Sequence, residues 1–228
     1  MPQNSGMSLR STQSATPRDA SGRASTFQEN VVLAERGKRR IYRKGTILIE
    51  EGDTGESVFI ILSGRVKVFS TDADDHEITY AMLGAGDYFG EMSLDGGPRS
   101  ASVITMEPTE CSVVGRAEVR AYMAENPDFA YELLVTAIRR AREATRIARG
   151  LALGDVYSRL VAFLTNAAKL QTDGVKQLEE RLTQQEIASR IGCGREMVSR
   201  ILKDLKLGGY VSTRDRRILV LKKLPDHW

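Results

Sequence analysis

The sequence predicts an α+β protein in three successive parts: a small antiparallel β-domain, a long helix, and a C-terminal helix-turn-helix followed by a β-hairpin. Three observations predict it. Residues 38–115 carry short β-branched and aromatic runs bounded by Gly, Asp or Pro. Residues 132–153, "ELLVTAIRRAREATRIARGLAL", contain no proline and one late glycine. The stretch "LTQQEIASRIGCGREMVSRILKDLK" then reads as helix, tight glycine-bearing turn, helix.

Composition sets the outer limits. At 228 residues with 41 % apolar content, the chain suits one large domain or two small ones with real cores. No apolar run approaches the ~20 residues that cross a bilayer. Residues 1–29 are rich in Ser, Thr, Gly and Pro, lack an apolar core for a signal peptide, and are expected to be a disordered tail. Met7 is a candidate start. Cys111 and Cys193 stand far apart without CxxC spacing and read as reduced structural thiols of a cytosolic protein. His76 and His227 are too few for a His-rich metal or haem site, so no metal is expected. The net charge of +3 is unevenly placed: residues 175–228 hold twelve Lys and Arg against seven Asp and Glu. A basic C-terminal segment suggests a polyanionic partner or a solvated basic face.

The runs "GTILIEEGD", "SVFIILSGRVKVFS", "EITYAMLGAGDYFG" and "SASVITMEPTECSVVG" supply many short strands, which fit a small barrel or sandwich. In the long helix, Leu134, Ile138, Ala141, Thr145, Ala148 and Ala152 recur at intervals of four, three, four, three and four. That is a seam for pairing with a twin helix, or for packing on the chain's own barrel. The arginines between seam positions are expected on the outer face. Gly154-Asp155 reads as a C-cap followed by an N-cap, hence a hinge. A second helical run, "VYSRLVAFLTNAAKL", and a polar connector, "QTDGVKQLEERLT", follow.

Thr183 and Glu186 form a capping box that starts the first helix of the C-terminal motif. In the second, at about 100° per residue, Val198, Ile201, Leu202 and Leu205 fall on one side. Arg195, Glu196, Ser199, Arg200 and Lys203 fall on the other. Arg195 and Arg200 can each bond guanine at two points, and Glu196 can accept from a cytosine amino group. They sit toward the helix N-terminus, where a recognition helix meets base edges. The tail "GGYVSTRDRRILVL" reads as a hairpin whose Arg214, Arg216 and Arg217 would lie near phosphates.

One loop, "YFGEMSLDGGPRSASV", holds an acid, Glu91, and a base, Arg99, among small residues. With "RKGTILIEEGDTGESVFIILSGRVKV" before it and "LTQQEIASRIGCGREMVSRIL" after it, the chain over residues 36–224 resembles the Crp/Fnr family of bacterial transcription regulators. The catabolite-activator (cyclic-AMP receptor) branch is the most similar. The resemblance implies a jelly-roll-like cyclic-nucleotide-binding β-roll at 30–130 and a dimerisation helix at 131–153. It further implies a winged helix-turn-helix DNA-binding domain at 154–228.

In that frame Arg99 would pair with the phosphate, helped by Ser100, while Glu91 would accept from the ribose 2′-OH. Gly90 would allow close backbone approach, and Met92, Ser93 and Ala101 complete the loop. Arg142 and Thr145 would reach the ligand from the long helix. The family's Thr-Ser pair facing the adenine falls on Ala144 and Thr145, so one hydroxyl is kept and one is missing. Cyclic AMP is the expected allosteric ligand, with cyclic GMP, cyclic di-GMP or activity without ligand as alternatives; no cofactor is expected. Thr183, Gln184, Gln185, Arg195, Glu196, Ser199, Arg200 and Lys203 are the expected DNA contacts. The implied partners are double-stranded DNA at a palindromic TGTGA-like site, a second copy of the chain, and RNA polymerase. The implied location is cytoplasmic, with no membrane partner.

Other readings fit less well. An iron–sulfur oxygen sensor needs several cysteines and a haem-binding sensor needs a histidine ligand, whereas His76 sits in the polar loop "DADDHE". A metal enzyme on a cupin-like barrel needs clustered histidines. A regulatory subunit docking on a partner protein leaves "GCGREMVSRIL" without a role.

Overall fold

The computed structural model describes residues 32–74, 76–171 and 174–225. The expected tail, Met7 and His227 lie outside the described residues. A helical turn at 32–35 buries Leu33 and Ala34, and the Ala34 carbonyl accepts from Ser112 Oγ at 2.6 Å.

Eight strands follow: β1 Lys38–Tyr42, β2 Ile47–Ile49, β3 Ser57–Ser63, β4 Arg65–Thr71, β5 Glu77–Gly84, β6 Tyr88–Phe89, β7 Ser102–Thr105 and β8 Thr109–Gly115. They form two four-stranded sheets, ordered β1-β8-β3-β6 and β2-β7-β4-β5, with antiparallel pairing. Ile49, Phe59, Ile61, Val66, Phe89, Val103 and Cys111 fill the space between the sheets. The Phe59 and Phe89 rings stack 4.9 Å apart. Burial pushes the Cys111 thiol up to about 12, so it stays protonated.

Helix α1 (Arg116–Glu125) leads into α2 (Pro127–Leu153). α2 begins earlier than the seam indicates, because Pro127 and Asp128 open its first turn and Phe129 anchors it on the β-domain. All six seam residues are exposed, Leu134 at 55 % and Ile138 at 42 %.

The Gly154-Asp155 break is a C-cap followed by an N-cap, as expected. Asp155 caps α3 (Val156–Ala167), accepting from the Ser158 N–H at 2.6 Å. Gly154, however, is extended rather than left-handed, with φ −101°. Its carbonyl is satisfied by Arg159 Nη1 at 2.7 Å instead.

The end of the second helical run and the polar connector are a β-hairpin, not helix and coil. β9 (Ala168–Leu170) pairs with β10 (Lys176–Leu178), and β10 with β12 (Arg217–Val220), which pairs in turn with β11 (Val211–Arg214). Sheet pairing overrides the helical preference of the Ala-rich segment.

Helices α4 (Gln184–Ile191) and α5 (Arg195–Leu207) pack on this sheet and α3. Thr183 and Glu186 make the full reciprocal capping box. Gly192 ends α4 at φ 65°, the left-handed cap that turns the chain into α5. Val198, Ile201, Leu202 and Leu205 are all buried. Thr183→Ala removes the cap and is expected to cost about 1 kcal/mol. Thermal unfolding should show it as a loss of roughly 2–4 °C.

Candidate functional site

The loop after β6 is built around Gly90. Its φ of 84° is left-handed, and a Cβ there would stand 2.8 Å from Arg99 Nη1 and 2.9 Å from the Ser57 carbonyl. Glu91–Ser93 then form one 3-10 turn. Arg99, 8 % exposed, reaches back beneath it. Nη1 donates to the Gly90 carbonyl at 2.8 Å and to Ser93 Oγ at 2.7 Å, and Nη2 donates to the Ser57 carbonyl at 3.0 Å.

A guanidinium has five N–H groups. Those left over are Nε–H and one on Nη2, the pair that grips an oxyanion at two points. Gly55 faces this edge: a Cβ there would lie 2.6 Å from Nη2 and 2.9 Å from Nε. All three acceptors of Arg99 are neutral, and it forms no ion pair among the described residues. Burial pulls its pKa down, partly opposed by the Glu91 carboxylate. A buried cation without a counter-ion is costly. The site is therefore complementary to one small anion.

Glu91 is 9 % exposed and is not paired with Arg99, which excludes the plain surface pair. Its partner is Arg140 of α2. Arg140 Nη2 also donates to the Tyr88 carbonyl at 2.6 Å, and its guanidinium lies 5.1 Å over the Tyr88 ring. Arg140 thus departs from the outer-face expectation for the α2 arginines: it turns inward and ties the loop to the long helix. Its helical position gives no sign of this; only the buried carboxylate opposite does.

Ser100 is exposed, and its hydroxyl donates to the Met92 sulfur at 3.2 Å. Ser93 is buried and Ala101 half-buried in the same loop. Thr145 is exposed on the seam and donates to the Ala141 carbonyl at 2.9 Å. Arg142 is exposed and forms no ion pair among the described residues. Loop residues Gly90 to Ala101 are thus brought together, while among the described residues no hydrogen bond or ion pair joins Arg142 or Thr145 to them.

At the other end, Arg195, Glu196, Arg200 and Lys203 are exposed on α5, with Ser199 half-buried beside them. Thr183, Gln184, Gln185 and Arg195 line one cleft at the start of both helices. The β11–β12 turn places Asp215 (φ 51°) and Arg216 (φ 62°) in the left-handed region, as a two-residue hairpin requires. Arg159 fixes the motif to the hinge, donating to the Ile191, Gly192 and Gly154 carbonyls at 2.8, 3.2 and 2.7 Å. A buried contact, Thr79 Oγ1 to Ser189 Oγ at 3.2 Å, joins β5 to α4. Asp72, Asp74 and His76 form an exposed cluster in the β4–β5 turn.

A β-roll holding a buried arginine with neutral partners, joined by one helix to a winged helix-turn-helix, is the architecture of a ligand-responsive DNA-binding protein. Known proteins agree. Residues 39–126 match the cyclic nucleotide-binding domain, and residues 158–224 match the Crp-like helix-turn-helix domain. The chain is 35 % identical over 175 residues to the cyclic AMP receptor protein of Thermus thermophilus, covering 76 % of this chain and 79 % of that one. It is 32 % identical over 197 residues to the cAMP-activated global transcriptional regulator Vfr of Pseudomonas aeruginosa, covering 83 % and 91 %. Among solved structures, the c-di-GMP responsive global regulator CLP of Xanthomonas campestris superposes with a TM-score of 0.73 at 26 % identity, covering 87 % of this chain and 99 % of that one.

The chain belongs to the Crp/Fnr family of transcription regulators. It is a cyclic-nucleotide-responsive regulator with a DNA-binding helix-turn-helix, not an enzyme. Among the described residues no helix is long and apolar enough to cross a membrane.

Proposed function

We propose that the chain binds cyclic AMP in the Gly90–Ala101 loop and, as a homodimer paired along α2, reads a palindromic TGTGA-like site. The observation that carries the ligand reading is Arg99: a buried cation with neutral partners and a free two-point edge. The phosphate supplies its counter-charge. Glu91 accepts from the 2′-OH, and Ser100 leaves the Met92 sulfur, a weak acceptor, for a phosphate oxygen.

The base preference follows from Thr145. Its hydroxyl proton is used by the Ala141 carbonyl, so the oxygen offers only lone pairs outward. That favours a donor, such as the adenine 6-amino group, over the guanine 6-carbonyl. Cyclic di-GMP is the second reading. Ala144 offers no hydroxyl to a base, and the 26 % identical CLP of Xanthomonas campestris is a c-di-GMP responsive regulator. Calorimetry with cyclic AMP, cyclic GMP and cyclic di-GMP tests the choice. Cyclic AMP should bind tightest, and tighter binding of either guanine nucleotide would overturn it.

The homodimer rests on six exposed seam residues in one stripe, four of them Ala or Thr, which allow close helix approach. Two recognition helices would then sit one DNA turn apart, about 34 Å. Ligand must favour that arrangement over others, or it shifts nothing. RNA polymerase is the further partner this reading implies. Arg200→Ala is expected to lose about 1–3 kcal/mol at one base pair. Binding measured on duplexes substituted at each position checks it; a uniform loss on all sequences would make Arg200 a phosphate contact only.

A further inference from the structure

The ligand loop contains a group with no part in ordinary phosphate binding, the Met92 thioether. Met92 is 60 % exposed, against 36 % for Met197, and Met82, Met106 and Met123 are half-buried. Its sulfur accepts the hydroxyl hydrogen of Ser100 at 3.2 Å. Both thiols are poorer targets. Cys111 is fully buried with its thiol pushed up to about 12, and burial also pushes up that of Cys193.

We propose that Met92 is an oxidation site through which peroxide-class oxidants weaken nucleotide binding. The O–O bond of the peroxide breaks and one oxygen forms the S=O bond of methionine sulfoxide. The sulfur loses two electrons, and the other oxygen leaves as water, so hydrogen peroxide balances the step without a further reactant.

The consequence follows from the geometry. A thioether is a weak acceptor and releases Ser100 readily. A sulfoxide oxygen is a strong acceptor and keeps the hydroxyl. It also brings a partial negative charge beside the loop that must receive a phosphate. Losing one hydrogen bond to a charged ligand corresponds to about a tenfold weaker affinity. The lesion is reversible by methionine sulfoxide reductases, so the loop would act as a resettable sensor.

This inference rests on the nucleotide reading of the same loop, and the experiment separates the two. The purified full chain is treated with hydrogen peroxide, the sulfoxides are mapped by peptide mass spectrometry, and cyclic AMP, cyclic GMP and cyclic di-GMP are titrated before and after. The ratio of oxidised to reduced dissociation constants is taken within each protein. We expect a ratio of about ten for the natural chain and for Met197→Leu, about one for Met92→Leu, and recovery after reductase treatment. Unfolding temperatures before and after oxidation exclude a general loss of fold. A ratio of one with Met92 oxidised, or the same loss in Met92→Leu, overturns the proposal. If the untreated chain binds none of the three nucleotides, the reading of the loop itself fails, and the proposal with it.

Discussion

Arg99→Gln is expected to weaken nucleotide binding by about 30-fold or more while leaving the protein folded. Both halves of this result come from the unliganded geometry. Arg99 is buried, yet its hydrogen bonds go only to the Gly90 and Ser57 carbonyls and the Ser93 hydroxyl. The free protein therefore carries a buried cation with no ion-pair partner, offset only in part by the nearby Glu91 carboxylate, and a neutral amide relieves that burden. Glutamine can still donate to one or two of these acceptors, so the melting temperature should hold or rise. The bound complex is different. Removing one partner of a buried, hydrogen-bonded charge pair costs about 2–5 kcal/mol, which is about one and a half to three and a half factors of ten in affinity. Calorimetry reads the affinity and a thermal melt reads the fold. A variant that unfolds would show that Arg99 is structural; one that binds normally would remove it from the site.

The second large effect concerns the α2 seam. On the proposed dimer, Leu134→Glu with Ile138→Glu should leave a monomer and remove tight DNA binding. Both positions are exposed in the single chain, so neither carboxylate meets a burial cost there. In the pair, each would lie near its twin across the twofold axis, where juxtaposed like charges cost several kcal/mol. One recognition helix on one half-site then loses the linkage that two provide. Analytical ultracentrifugation should report one chain rather than two. A double variant that still sediments as a dimer would place the interface elsewhere.

Much of the molecule was legible in its residues, for identifiable reasons. The β-domain strands are bounded by glycines at left-handed positions such as Gly64 and Gly90, a local signal that needs no tertiary knowledge. The α4 capping box and the buried face of α5 are likewise local, set by Thr183, Glu186 and four apolar residues. Other features depend on pairing partners that residue types alone do not reveal. "AKL" forms β9 only because Lys176–Leu178 is there to pair with it. Arg140 faces inward only because Glu91 awaits it, about fifty positions earlier in the chain. The Ser100–Met92 contact depends on how tightly the loop folds, which residue types alone do not state. The start of α2 is an intermediate case. Its Pro127-Asp128 signal is present, but the seam begins only at Leu134.

The linkage between the two ends of the chain has a visible route. Glu91 holds Arg140 on α2, α2 runs to Gly154, and Arg159 bonds the Gly154 carbonyl together with those of Ile191 and Gly192. On the proposed ligand site, an anion that rearranged the loop would act on a helix whose far end is hydrogen-bonded to the helix-turn-helix.

The most direct test is the affinity for a labelled palindromic duplex, measured with and without cyclic AMP, for the natural chain and for Arg99→Gln side by side. The account predicts at least a roughly fivefold gain for the natural chain, the scale of ordinary allosteric coupling of about 1–3 kcal/mol, and no gain for the variant. Equal affinity with and without nucleotide, or an undiminished response in Arg99→Gln, would contradict it.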